Sequence, residues 1–196
     1  LTFTRLSCDG EEGYPGNLLV SVRYTFDDEC RLGIHYQALC DQDTVINLTN
    51  HSYFNLDGED SGSVEGQHLQ IFADSFAEND AGCLPTGRIV SLDSEEGSPF
   101  DFREPTEIGK RLHEENIHLK NGSGYDHNYL LKKQPDGLCA RAYSRSSGIL
   151  LECRTSEPGM QLYTGNFLST SNIVGKGGKS YADWAGFCLE TQHYPN

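Results

Sequence analysis

The 196 residues carry 29 Asp plus Glu against 15 Lys plus Arg, for a formal net charge of −14. A surface this acidic repels phosphate backbones and argues against nucleic-acid binding, and no apolar run approaches the roughly 20 residues of a membrane helix. Ten Tyr, nine Phe and one Trp are too many buriable rings for a disordered chain. The length favours one domain, or at most two small ones.

The dominant hydrophobic period is two. Leu1-Thr-Phe-Thr-Arg already alternates as the middle of a strand does. In Leu18–Phe26, Val20, Val22, Tyr24 and Phe26 share one face, and Ser21, Arg23 and Thr25 share the other. After Asp27-Asp-Glu-Cys30 the alternation resumes with Leu32, Ile34, Tyr36 and Ala38, which predicts a hairpin with one buried face. Further strands are expected at Thr44–Leu48, His68–Ala73, Asn128–Lys132, Leu138–Ser144, Ile149–Thr155 and Met160–Tyr163. Ser146-Ser-Gly148 supplies a second hairpin turn. A single helical window stands out, Pro105–Glu115, with Ile108 and Leu112 four apart. Asp57–Gly66 and Lys120–Gly124 read as polar, glycine-bearing loops. Twenty-one glycines and seven prolines punctuate the rest, and many strands with frequent turns predict an all-β sandwich or barrel.

The seven cysteines are Cys8, Cys30, Cys40, Cys83, Cys139, Cys153 and Cys188. Their odd number, irregular spacing and lack of any CxxC fit neither a disulfide framework nor a zinc ribbon, so free thiols in a reducing compartment are expected. No basic stretch followed by an apolar core marks a signal peptide. Both ends read as cut: the chain opens inside strand-like text and stops at His193-Tyr-Pro-Asn196, just after a dense polar motif. The expectation is one partial domain over 1–196.

Four segments are unusually polar for text lying among strands: Asn47–Leu56, Gly124–Tyr129, Glu157–Leu168 and Gly186–His193. The first mixes amides with aromatic rings, as sugar sites do, because rings cover the apolar sugar face and amides pair with hydroxyls. Taken singly, each residue has a plainer reading. His51 could close a turn, Asp126 could form one after Gly124, Gln161 could cap a strand edge, Glu157 and Pro158 look like turn residues, and Glu190 could point to solvent. A metal site over His51, Asp126, His127 and Glu190 is disfavoured: no HxH or HExxH spacing occurs, and adjacent Asp126 and His127 face opposite ways on a strand. No GxSxG elbow supports a serine hydrolase.

Taken together, Asp9–Gly16, Asn47–Leu56, Gly124-Tyr-Asp-His-Asn-Tyr129, Pro158–Leu168 and Gly186-Phe-Cys-Leu-Glu-Thr-Gln192 resemble, in order, blocks of the aldose 1-epimerase (galactose mutarotase) family. The resemblance runs over essentially all 196 residues. It implies a large antiparallel β-sandwich and no metal or organic cofactor. It also implies interconversion of the α and β anomers of free hexoses such as galactose and glucose. Two upstream family blocks, an Asn-Arg-Ile/Val and a Leu-His-Gly-Gly, do not occur in these residues, and neither do the family's last strands. The alternative is a non-catalytic carbohydrate-binding relative of the same fold. The expected partner is a small-molecule hexose, with no nucleic acid and no membrane, for a cytosolic monomer.

Carried over position by position, the resemblance makes Glu190 the general base and His51 the general acid. Asp126 becomes a carboxylate that holds sugar hydroxyls. Gln161 becomes an amide that helps position Glu190 or the sugar, and Tyr53 a residue lining the site. These side-chain types suit the chemistry. Mutarotation takes a proton from the C1 hydroxyl and places one on the ring oxygen, and a carboxylate and an imidazole on opposite sides of the hemiacetal can do both. Imidazole is the side chain built to exchange protons near neutral pH. A carboxylate would serve best if burial raised its pKa.

Overall fold

The structure is a computed structural model that describes residues 1–171 and 174–195. It divides into two compact units, Leu1–Leu48 and Thr49–Asn196. No helix among the described residues is long and apolar enough to cross a membrane.

The first unit is a three-stranded antiparallel meander of β1 (Thr2–Ser7), β2 (Leu18–Phe26) and β3 (Leu32–Cys40). The β2–β3 register sets Val22 opposite Tyr36 and Phe26 opposite Leu32, which is the expected hairpin. Its predicted inner face is only half-buried at Val20, Val22 and Tyr24, and Phe26 is exposed. The expected strand at Thr44–Leu48 is irregular chain.

The second unit carries two antiparallel sheets. One has the order β10-β9-β4-β7, from β4 (His68–Ile71), β7 (Thr106–Glu107), β9 (Leu138–Tyr143) and β10 (Leu150–Arg154). The other has the order β12-β11-β8-β5-β6, from β5 (Ala73–Asn79), β6 (Pro85–Ser91), β8 (Asp126–Leu131), β11 (Gly159–Tyr163) and β12 (Cys188–Gln192). Alternation along each strand sends one set of side chains inward. Ile71, Ala140 and Ala142 from the first sheet and Phe76, Tyr129, Met160, Leu162 and Leu189 from the second join one buried cluster. Cys139 Sγ and Met160 Sδ meet 3.9 Å apart between the sheets. This sandwich agrees with the all-β expectation.

The core also buries polar groups that find partners. Tyr125 and Tyr129 donate their hydroxyls to the carbonyls of Pro99 (2.8 Å) and Phe100 (2.9 Å). Phe76 stacks on Phe100 with centroids 4.2 Å apart, and the His127 ring meets both edge-on. Burial drives the His127 pKa down to about 3, so this imidazole stays neutral in the core.

The helix lies elsewhere than the periodicity predicts. Residues 105–115 form β7, a short 3-10 turn at Ile108–Lys110 and irregular chain, while α1 spans Ile117–Gly122. Ile108 and Leu112 are both buried, but without a continuous helix between them. The start of α1 is set by Asn116, whose side chain accepts from the His118 and Leu119 N–H groups. The segment Lys120–Gly124 is accordingly the end of a helix rather than a free loop. Ser123 closes it in the left-handed region at φ 55°.

Candidate active site

The five-stranded sheet has a core face and an opposite face, and the candidate residues stand on the latter. In the register, Gln161 of β11 lies between Asn128 of β8 and Glu190 of β12, and Tyr163 lies between Asp126 and Cys188. The next residues along, His127, Leu162 and Leu189, turn inward. Period-two alternation therefore gathers Asp126, Gln161, Cys188 and Glu190 on one surface and separates Asp126 from its neighbour His127. Asp126, Gln161 and Glu190 line an open cleft of about 430 Å³ together with His51, Tyr53 and Tyr163, whereas Cys188 is fully buried and does not line it.

Two devices place the remaining parts. The segment carrying His51 and Tyr53 runs beside β12 and is tied to it at both ends. Thr49 Oγ1 donates to the Thr191 carbonyl at 2.9 Å, and Phe54 and Phe187 exchange backbone hydrogen bonds at 2.8 and 2.9 Å. At the other side, Gly124 begins the entry to β8 with φ 138°, and a Cβ there would lie 2.5 Å from Asn166 Oδ1. Only glycine fits this approach. Asn166 in turn donates to the carbonyls of Gly122 (2.8 Å) and Tyr125 (3.1 Å), fixing the backbone that presents Asp126.

His51 Nε2 stands 3.4 Å from Glu190 Oε1, and His51 Nδ1 stands 3.5 Å from Cys188 Sγ. The imidazole and the carboxylate are thus side by side and in contact. His51 also belongs to a small aromatic group, with ring centroids 5.1 Å from Tyr53 and 6.0 Å from Tyr163. Gln161 Nε2 donates to Asp126 Oδ1 at 2.6 Å. All five residues singled out from the sequence border this cleft.

Electrostatics distinguish them. Glu190 is only 7 % exposed, and burial pushes its carboxyl above the usual range; His51 pulls it back down, while the Asp126 charge lifts it further. Burial also raises Asp126, against the opposing hydrogen bond from Gln161 and the attraction of His51. Tyr53 is pushed up to about 12, first by burial and then by the acidic groups around it, so it remains a neutral phenol. The cleft therefore holds two carboxyl groups of raised pKa beside a half-exposed imidazole, an arrangement suited to proton exchange with a polar ligand.

The sequence alone did not single out Asn79, Cys83 and Pro85, which also line the cleft. Asn79 ends β5, Pro85 opens β6 and Cys83 lies in the turn between them, which carries no chemical signature. Cys188 and Tyr163 lie within the quoted polar blocks, but only the strand register reveals that they share a face with Gln161 and Glu190, and of the two Tyr163 lines the cleft.

The chain is similar to known proteins along its whole length. The family profile described as Aldose 1-epimerase matches residues 1–196. The chain is 46 % identical to the galactose mutarotase of Sus scrofa over 197 residues, covering all of this chain and 55 % of that protein. It is 38 % identical to the aldose 1-epimerase of Escherichia coli K12, covering 99 % of this chain and 55 % of that one. Among solved structures, an aldose epimerase homologue from C. elegans superposes with a TM-score of 0.84 at 31 % identity, covering 97 % of this chain and 55 % of that one. The chain spans about half the length of the curated relatives it matches.

Proposed function

Because the chain belongs to the aldose 1-epimerase family, we propose that its cleft binds a free hexose and interconverts the α and β anomers by acid–base ring opening and reclosure. The observation that carries this reading is the contact between buried Glu190 and His51, 3.4 Å apart at the wall of a polar cleft. The two oxygens that exchange protons in mutarotation, the C1 hydroxyl and the ring oxygen, share one carbon. An acid and a base standing side by side match that pair better than groups facing each other across a ring.

In the proposed reaction Glu190 takes the proton of the C1 hydroxyl while His51, protonated, gives one to the ring oxygen. The bond between C1 and the ring oxygen breaks and an open-chain aldehyde forms. Rotation about C1–C2 presents the other carbonyl face. The former ring oxygen attacks it, His51 recovers its proton and Glu190 returns the one it holds, so both groups are reset. Each such proton transfer contributes roughly 10²–10⁴-fold. A raised Glu190 pKa makes it a stronger base than an ordinary carboxylate, and the attraction of His51 works against that rise. Asp126, held by Gln161, accepts hydrogen bonds from ring hydroxyls, and the Tyr53 and Tyr163 rings cover the apolar sugar face. Seven unpaired thiols support the cytosol as the proposed compartment.

Polarimetry of freshly dissolved α-D-galactose, with the polypeptide at its native length, tests the proposal. Catalysed approach to the anomeric equilibrium is expected. An uncatalysed rate with measurable sugar binding would leave a carbohydrate-binding protein instead.

A further inference from the structure

Cys188 has no part in the proposed reaction, yet it is buried on the cleft face with its sulfur against His51. Cys188 and Glu190 are two apart on β12, so their side chains rise from the same surface. His51 inserts beside both. One ligand atom from each of the three lies within 4.8 Å of the other two. We propose that Cys188, His51 and Glu190 form a binding site for a borderline-soft divalent cation of the zinc class, whose capture switches off the acid–base pair.

The donor set is a thiolate, an imidazole and a carboxylate. Such mixed sulfur and nitrogen sets select zinc-like ions over magnesium or calcium, which prefer all-oxygen cages. Those ligand atoms lie within 4.8 Å of one another, where tetrahedral zinc holds its ligand atoms roughly 3.4–3.6 Å apart. The 3.5 Å contact to Cys188 and the 3.4 Å contact to Glu190 use the two different nitrogens of the His51 ring, so capture requires the ring to turn until one nitrogen faces the ion. The His51 side chain is about half exposed, at 52 %. The fourth position opens to the cleft, where water or a sugar hydroxyl completes the set.

Capture replaces the sulfur-bound proton of Cys188, which leaves to solvent, with a metal–sulfur bond. It occupies the lone pairs of His51 and Glu190 that proton exchange requires. Because the bound form is the thiolate, capture releases a proton and strengthens as pH rises.

The inhibitory effect rests on the proposed epimerase reading; the metal site itself does not. Co²⁺ is the probe, since a thiolate ligand gives it a charge-transfer absorption and a tetrahedral set gives it intense visible bands. The native-length protein titrated with Co²⁺ alone is expected to show both. Cys188→Ser should lose the charge-transfer band and weaken Co²⁺ binding by on the order of 100-fold, with its circular dichroism unchanged. His51→Gln should weaken binding as well. In polarimetry, Zn²⁺ should suppress turnover of the unmodified protein at least about tenfold, while Cys188→Ser, whatever its own rate without metal, loses far less of that rate to the same Zn²⁺. Absence of the thiolate band, or the same band in Cys188→Ser, overturns the site. Cobalt binding in a protein that never catalyses mutarotation supports the site and refutes the epimerase reading. Catalysis indifferent to saturating Zn²⁺ overturns the switch.

Discussion

Gln161 sits beside Glu190 in the β11–β12 register, yet its amide donates to Asp126 Oδ1 at 2.6 Å. The amide thereby ties the sugar-holding carboxylate to the strand next to the base. In the proposed division of labour, Gln161 serves substrate binding more than proton transfer.

Gln161→Leu removes that donor and leaves Asp126 without its opposing hydrogen bond, so the Asp126 carboxyl rises further and accepts sugar hydroxyls less well. One such bond is worth about 1–1.5 kcal/mol, so KM should rise roughly tenfold with little change in kcat. Steady-state kinetics on galactose decide it. A fall in kcat at constant KM would mean that Gln161 acts on Glu190 instead.

Glu190→Gln keeps the size and hydrogen-bonding capacity of the side chain but cannot take a proton. Turnover should fall by roughly 10²–10⁴-fold while equilibrium sugar binding is largely spared. Near-native rates would remove Glu190 from the role of base.

The pH profile carries a more specific signature. Activity requires ionised Glu190, whose pKa lies above the ordinary carboxylate value of about 4.3 because of burial. The acid limb of kcat/KM should therefore fall at a higher pH than an exposed glutamate would give. The Asp126 charge contributes to that rise. Asp126→Asn should consequently shift the limb to lower pH, whatever it does to the height of the profile. A limb that stays in place, or moves upward, contradicts the assignment.

Much of this arrangement was legible because strands announce themselves by alternation. β2, β3 and β8 to β11 fall close to where period two puts them, and the same rule placed Asp126 and His127 on opposite faces. The failures have physical causes. Ile108 and Leu112 are four apart and both buried, but tertiary packing, not a helix, buries them. The real α1 is six residues long, too short to display a period. β5 was missed because Ala73-Asp-Ser-Phe-Ala-Glu-Asn79 has no β-branched residue, and its pairing with both neighbours shifts register. β6 opens on Pro85 and carries Gly87, which disguise a strand that the sheet tolerates only at its edge. At the site, residue types suggested a sugar cleft, but the His51–Glu190 contact is a long-range event. It depends on the Phe54–Phe187 pairing between segments far apart in sequence, which no local pattern encodes.

Stability should bear the mark of the same two carboxyl groups. Burial raises both Glu190 and Asp126 in the folded protein. A carboxyl whose folded pKa exceeds its unfolded value of about 4 favours folding while protonated. That contribution is present below the unfolded value and is lost as pH rises through the raised folded value. At neutral pH both charges therefore oppose folding, a cost commonly found at functional sites. Asp126→Asn can still accept the Gln161 hydrogen bond, and Glu190→Gln keeps its volume, so each should raise Tm at pH 7. Below about pH 4 the native side chains are themselves neutral, and the advantage should shrink toward zero. Thermal unfolding followed by circular dichroism at the two pH values measures the difference. A lower Tm for both variants at pH 7, or a gain that persists unchanged in acid, would show that these carboxylates are held by favourable partners rather than strained by burial.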